Sequence, residues 1–333
     1  MNNFNTYIPP FTVSTKAINL IAEISAQVER YAIRLEQADG LKLRKANRIK
    51  TIHSSLAIEG NHLSEDEVED IINGKKVVAP LKEIQEVKNA IRTYELYKSL
   101  DPFNIKDLLR AYSVMMEALI DRPGHFRNGG VGVVEGEKCI HLAPPPQRVP
   151  QLMGDLFNWL KNADDHLLIR SCVFHFEFEF IHPFADGNGR MGRLWQSLIL
   201  GKLHPLFEYL PVENMVYSNQ EKYYDAIAES SNKADSGPFI DFMLEEILNT
   251  LKKHQREPIQ NEDGVKDGVK QPTERQNIIL TTLQNNPSYS AKELAQKTGI
   301  AFRTIQRELA QMQLMGIIHR EGGRKEGLWV VNK

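Results

Sequence analysis

His182-Pro183-Phe184-Ala185-Asp186-Gly187-Asn188-Gly189-Arg190-Met191-Gly192-Arg193 is the stretch on which the reading of this chain turns. Pro183 ends whatever element precedes it, because the residue before a proline is pushed out of helical backbone. Gly187, Asn188 and Gly189 tolerate backbone conformations in which successive N–H groups point to one spot, an anion nest. A helix begins directly afterwards, so its unpaired N–H groups and positive dipole end face that same spot. Arg190 and Arg193, three residues apart, are neighbours on its first turn. N–H groups, a helix start and two guanidiniums suit a polyphosphate. Asp186 can hold Mg²⁺, which binds through one or two carboxylates together with phosphate oxygens. His182 is the neighbouring side chain able to take a proton at neutral pH. A metal hydrolase built on His175, His182 and Asp186 fails for want of a third well-spaced ligand.

Outward from this segment the pattern is mainly helical. Upstream, Leu167 to Ile181 contains Phe174-His175-Phe176-Glu177-Phe178-Glu179-Phe180, whose period of two argues for a strand, whereas its length argues for a helix. Val149 to Leu160 reads as a helix. Val131 to Val134 and Lys138 to Leu142, around Glu135-Gly136-Glu137 and ended by Pro144, Pro145 and Pro146, read as a β-hairpin. Ile18, Ile21, Ala22, Ile24 and Val28 after Ser14, then Leu43 to Ile58, then Glu83 to Leu100, carry helical periodicity. Gly60 is a C-terminal stop and Ser64-Glu65-Asp66-Glu67 has capping-box spacing.

Beyond Arg256 the composition breaks. The polar stretch to Thr273, with Pro258, Pro272 and a near-duplicated Asp-Gly-Val-Lys, is a linker. After it, Glu274 to Leu283, a capping box at Ser290 to Glu293, a helix from Phe302 to Met315 and two short apolar runs around Gly322-Gly323 follow the winged helix-turn-helix plan. This segment carries nine Lys/Arg and five Asp/Glu, a net +4, against −6 for the rest. The expected organisation is an N-terminal helical region (1–100), a catalytic core (101–253), a linker (254–272) and a winged-helix domain (273–333).

Bulk properties exclude several classes. The 333 residues have a net charge of −2, so the whole chain has no nucleic-acid or membrane signature. No apolar run approaches the ~20 residues of a membrane span, and the N-terminus lacks the features of a signal peptide. A cytoplasmic address without membrane partners is expected. Cys139 and Cys172 lie in unrelated contexts, which argues against a disulfide or a cysteine metal site.

The segment from His182 to Arg193 resembles the signature of the Fic family, His-Pro-Phe-x-Asp/Glu-Gly-Asn-Gly-Arg-x-x-Arg, at every specified position. The resemblance, covering about residues 14–245, implies a helical bundle with a β-hairpin flap and settles 167–181 as helix. It implies a protein adenylyltransferase that moves AMP from ATP to a Tyr, Thr or Ser hydroxyl of another protein or of itself. His182 would deprotonate that hydroxyl and Asp186 would ligate Mg²⁺. Gly187, Asn188, Gly189 and Arg190 would hold the phosphates with the adjoining Met191 and Gly192, and Arg193 would sit on the γ-phosphate side. Gly189 argues for AMP, since phosphate-transferring members carry Lys there. The hairpin occupies the place of the flap, whose main chain pairs with the target, with Cys139, Ile140 and His141 near nucleotide or target. Tyr223 and Tyr224 fall where members line the adenine pocket.

Ser55-Leu56-Ala57-Ile58-Glu59-Gly60 resembles the family's inhibitory motif. The implied brake is a salt bridge from Glu59 to Arg193 that takes the guanidinium from the γ-phosphate. Two alternatives stay open: removal of AMP from a modified target, and a DNA-binding regulator with a nucleotide-sensing domain. The second would use Thr304, Gln306 and Arg307 of the recognition helix, although many winged helices bind protein. A homodimer is compatible with the resemblance, but no stretch of sequence marks an interface.

Overall fold

The structure is a computed structural model describing residues 7–36, 40–135, 138–208, 210, 212–256, 274–300, 302–314, 317–321 and 328–331. It divides into two compact units, 1–261 and 262–333. The larger contains α1 (Thr15–Glu36), α2 (Gly40–Ala57), α3 (Glu65–Ile72), α4 (Leu81–Glu95), α5 (Ile105–Met115), β1 (Gly132–Glu135), β2 (Lys138–Leu142), α6 (Val149–Asn162), α7 (Leu167–Ile181), α8 (Asn188–Leu203), α9 (Val212–Ser218), α10 (Gln220–Lys233) and α11 (Gly237–Arg256). The smaller contains α12 (Glu274–Asn285), α13 (Ala291–Thr298), α14 (Phe302–Leu314), β3 (Ile318–Glu321) and β4 (Leu328–Val331). No helix among the described residues is long and apolar enough to cross a membrane.

In the larger unit α7 and α8 pack against each other. Both are buried around most of their circumference. That explains why α7 reads ambiguously: a helix buried over most of its surface has little 3.6-residue polar rhythm to display. Its aromatics fill the core, with Phe157 edge-on to Phe174 and Phe178 edge-on to Phe184. Trp195 of α8 is fully buried, and its ring N–H donates to the Pro102 carbonyl at 3.0 Å.

Helix α1 lies along α11. Its inward stripe is Ala17, Ile24, Val28 and Tyr31, whereas Ile18 is 59% exposed, so the buried face is turned slightly from the expected one. The expected helix from Glu83 to Leu100 ends early. It stops at Glu95 and continues as a single 3₁₀ turn, Tyr97–Ser99. The Ser64 capping box forms as its spacing predicts, with side chain and backbone exchanged between Ser64 and Glu67.

The hairpin β1–β2 is antiparallel, pairing Val133 with His141 and Val134 with Cys139 across a bulge. The side chains of 132–142 lie outside the described residues, and most of the linker expectation, 257–273, does too. Helix α11 runs to Arg256, so residues 254–256 of that expected linker are helical. In the smaller unit Ile279, Leu283, Leu294, Ile305, Met312 and Trp329 form a separate core. The capping box at Ser290, the left-handed Gly299 after α13 and the pairing of β3 with β4 give a winged helix-turn-helix. Thr304 is half-buried, while the side chains of Gln306 and Arg307 lie outside the described residues.

Candidate active site

His182 terminates α7 in left-handed backbone (φ 49°, ψ 62°), a conformation a non-glycine residue adopts only when its surroundings over-determine it. Those surroundings are visible. Arg127, 6% exposed, donates from Nε to the His182 carbonyl at 2.7 Å and from Nη1 to the Gly129 carbonyl at 2.9 Å. It also donates from Nη2 to the Pro144 carbonyl, and its backbone N–H reaches the Pro183 carbonyl at 3.0 Å. One guanidinium thus ties the histidine turn to both stems of the hairpin.

The loop after His182 is closed by Asn188, which is buried. Its side-chain oxygen accepts from the Phe184 N–H and its amide donates to the Phe184 carbonyl, both at 2.9 Å. Phe184 is clamped by rings, 3.6 Å centroid to centroid from Tyr112, and the Tyr112 hydroxyl donates to the Asp186 carbonyl at 3.0 Å. Gly187 takes φ 80°, and a Cβ there would meet the Met116 sulfur at 2.7 Å. Glycine is required at this position on both counts. The N-terminus of α8 therefore opens onto a fixed loop.

The Asp186 side chain is 52% exposed, and its Oδ1 accepts from the Gly187 N–H at 2.6 Å and from Arg190 at 3.3 Å. Arg190 is 3% exposed and lies 3.8 Å from Glu86, which accepts from Asn61 at 2.9 Å. Arg193 is 1% exposed. Its Nη2 donates to Glu59 Oε1 at 2.8 Å and to the Ser55 carbonyl at 2.9 Å. Glu59 reaches it because the chain leaves α2 through a tight turn, with Gly60 at φ 85°. A Cβ on Gly189 would overlap the Glu59 carboxylate and lie 2.9 Å from Arg193 Nη1. Glu59 thus lies directly over the nest.

Met191 is fully buried in the core beneath the site. A Cβ on Gly192 would lie 2.7 Å from Glu179 Oε1 and 3.4 Å from the His175 ring. Tyr223 is 3% exposed, and its hydroxyl is 2.9 Å from His175 Nε2. Tyr224 is half exposed, its ring 5.3 Å from that of Tyr223. Burial lowers the His175 pKa to about 4, so its imidazole is neutral. Burial also raises the Cys172 thiol to about 12, which makes it inert. Cys139, Ile140 and His141 lie on β2, with side chains outside the described residues.

Three contributors carry no sequence signal. Arg127 sits beside an ordinary Asn-Gly-Gly turn, and Glu86 and Glu179 are charges on helices; only tertiary contact reveals what they touch. Arg127→Met should loosen the His182 turn, because the carbonyls of Gly129, Pro144, Ile181 and His182, one buried and the others partly so, lose their donor at once. Unsatisfied buried groups cost ~1–3 kcal/mol each, so a loss of about 3 kcal/mol is expected, read as a lowered denaturant midpoint.

The Fic/DOC family model matches residues 102–200, and a winged helix-turn-helix DNA-binding model matches 274–319. The crystal structure of a Fic family protein from Desulfovibrio desulfuricans G20 is 40% identical, covers 98% of both chains and superposes with a TM-score of 0.72. The chain belongs to the Fic family. Fic-1 from Caenorhabditis elegans, 18% identical over 72% of each chain (TM-score 0.57), shares the fold. Among curated relatives, a probable protein adenylyltransferase from Aquifex aeolicus is 33% identical over 54% of each chain. The protein adenylyltransferase Fic of Culex quinquefasciatus is 30% identical over 64% of this chain and 43% of its own length. The chain spans about half the length of the curated relatives it matches.

Proposed function

We propose that this protein is an autoinhibited protein adenylyltransferase, transferring AMP from ATP to a Tyr, Thr or Ser hydroxyl of a protein target or of itself. The observation that carries it is the juxtaposition, in twelve consecutive residues, of a strained histidine, a rigid loop and a helix N-terminus bearing two buried arginines. The polyphosphate lies along the N–H groups of Gly187 to Gly189, with Arg190 and Arg193 neutralising it. The target hydroxyl, held by the hairpin, attacks the α-phosphorus. Its proton passes to His182, the bond to the bridging oxygen breaks, and pyrophosphate leaves.

Mg²⁺ fits the donor set: Asp186 is a half-exposed carboxylate beside the nest. No group of three or more His, Cys, Asp or Glu among the described residues could cage a metal, so phosphate oxygens would complete the ion's shell. Bound there, it would neutralise charge on the leaving pyrophosphate. Every proton transfer remains with His182.

The brake is Glu59. With Arg193 engaged at 2.8 Å and the Glu59 carboxylate over Gly189, the γ-phosphate has neither its cation nor its space. ATP then binds with its α-phosphate turned away from attack. The test is transfer of labelled AMP from ATP with Mg²⁺ by the natural chain, by Glu59→Gly, and by Glu59→Gly with His182→Ala. No label in any of the three, with ATP still bound, would point to a Glu59-positioned water and removal of AMP.

The smaller unit supports a second role. Its match to a DNA-binding family and its +4 charge favour nucleic acid. The full chain should shift duplex DNA at low salt and lose it steeply as salt rises, because bound phosphates release counterions. No shift at low salt would leave this unit as a protein-docking module.

A further inference from the structure

Arg193 is buried and permanently charged. Removing the partner of a buried charge is strongly destabilising. Withdrawal of Glu59 must therefore leave the guanidinium with another anion until a phosphate arrives. Three carboxyl groups lie in the field of Arg193: Glu59 after α2, which pairs with it at 2.8 Å, and, beyond ion-pairing contact, Glu213 on α9 and Glu179 on α7, whose Oε1 lies against the neighbouring Gly192. Glu213 is engaged, since the Tyr94 hydroxyl donates to it at 2.6 Å.

Glu179 is differently placed. Its side chain is 14% exposed, and its Oε1 is buried with no hydrogen-bond partner among the described residues. His175 Nε2 is 4.0 Å away but is shared with the Tyr223 hydroxyl, and the neutral imidazole brings no charge. Gly192 leaves the space this carboxyl fills, since a Cβ would lie 2.7 Å from Oε1. The reaction described above does not use it. One turn before His182, the Glu179 carboxyl thus keeps one oxygen buried and unpartnered, room for a partner that comes and goes.

We propose that Glu179 is a positioning residue that shares Arg193 with Glu59. Charged, it offsets the charge of Arg193 through space and repels Glu59; neutral, it leaves Arg193 wholly to the brake. This rests on the autoinhibited-transferase reading and adds what sets the strength of its brake.

Burial raises the Glu179 pKa to about 7, with Arg193 pulling it down and Glu59 pushing it up. The groups facing it are His175 on its own helix, Arg193 on α8, Glu59 after α2 and Tyr223 on α10. The sign follows. A carboxyl with a raised folded pKa is neutral below about 7, so the brake is firm in acid and loosens as pH rises through that value.

The test is a stability cycle on the full chain: natural, Glu59→Gln, Glu179→Gln and both together, unfolded in denaturant at about pH 5.5 and about pH 8. With Glu179 intact, Glu59→Gln should lower the midpoint roughly twice as much at the lower pH, where no second carboxylate compensates Arg193. With Glu179→Gln the cost should be alike at both pH values. Equal costs with Glu179 intact would overturn the inference, even if Glu179→Gln failed to fold. Labelled AMP transfer separates the two ideas, because the midpoints require no catalysis. Absence of label in Glu59→Gly sinks the transferase reading, whereas a stimulation by Glu59→Gly whose pH profile is unchanged by Glu179→Gln sinks the role of Glu179.

Discussion

Glu59→Gly should raise AMP transfer by about 10- to 100-fold over the natural chain. The size follows from the bond removed. A hydrogen bond between a buried guanidinium and a carboxylate contributes ~1.5–3 kcal/mol, and each 1.4 kcal/mol is tenfold in an equilibrium. Breaking it restores to the nucleotide a cation now held at 2.8 Å. It also clears the carboxylate that stands where a Gly189 Cβ would be. The gain should appear in the rate of label incorporation at saturating ATP, not only in ATP affinity, because the proposed brake acts by mispositioning the nucleotide. Transfer equal to that of the natural chain would mean that the ion pair is structural. A loss of stability should accompany the gain, since Arg193 stays buried without its closest partner.

His182→Ala, introduced into Glu59→Gly, should abolish most of that transfer, by about 10²–10⁴-fold, the usual contribution of a positioned general base. Nucleotide binding should survive, because the nest, Asn188 and both arginines stand on α8 and its own loop. The variant must therefore be compared by ATP affinity as well as by label. Retained affinity with lost transfer marks a group that acts in the chemical step. Loss of both would mean that His182 holds the loop, and the left-handed turn makes this control necessary.

Much of the site was legible because it is contiguous. From His182 to Arg193 the chemistry and the backbone requirements fall in one run, so residue type and spacing suffice. Capping boxes at Ser64 and Ser290 were equally local, and both form. Helix α7 was not legible from periodicity, since burial over most of its surface erases the rhythm. The early end of α4 and the rotated face of α1 were not legible either, because packing partners distant in sequence decide them. Gly192 shows a further limit: its missing Cβ makes room for a carboxyl from another helix, which no local spacing announces.

By itself the sequence determined the local machinery: a proline-broken helix end carrying His182, a glycine loop, a helix start with two arginines, and a separate winged-helix unit. Tertiary structure alone decided what surrounds that machinery. Arg127 locks the histidine turn to the hairpin, Glu86 balances Arg190, and Glu179 and Glu213 share the field of Arg193. The physical reason is range. Backbone conformation and capping depend on neighbours a few residues away, whereas the charge a buried arginine feels is set by whichever carboxylates the packing brings within a few ångströms, and no spacing in the chain encodes that.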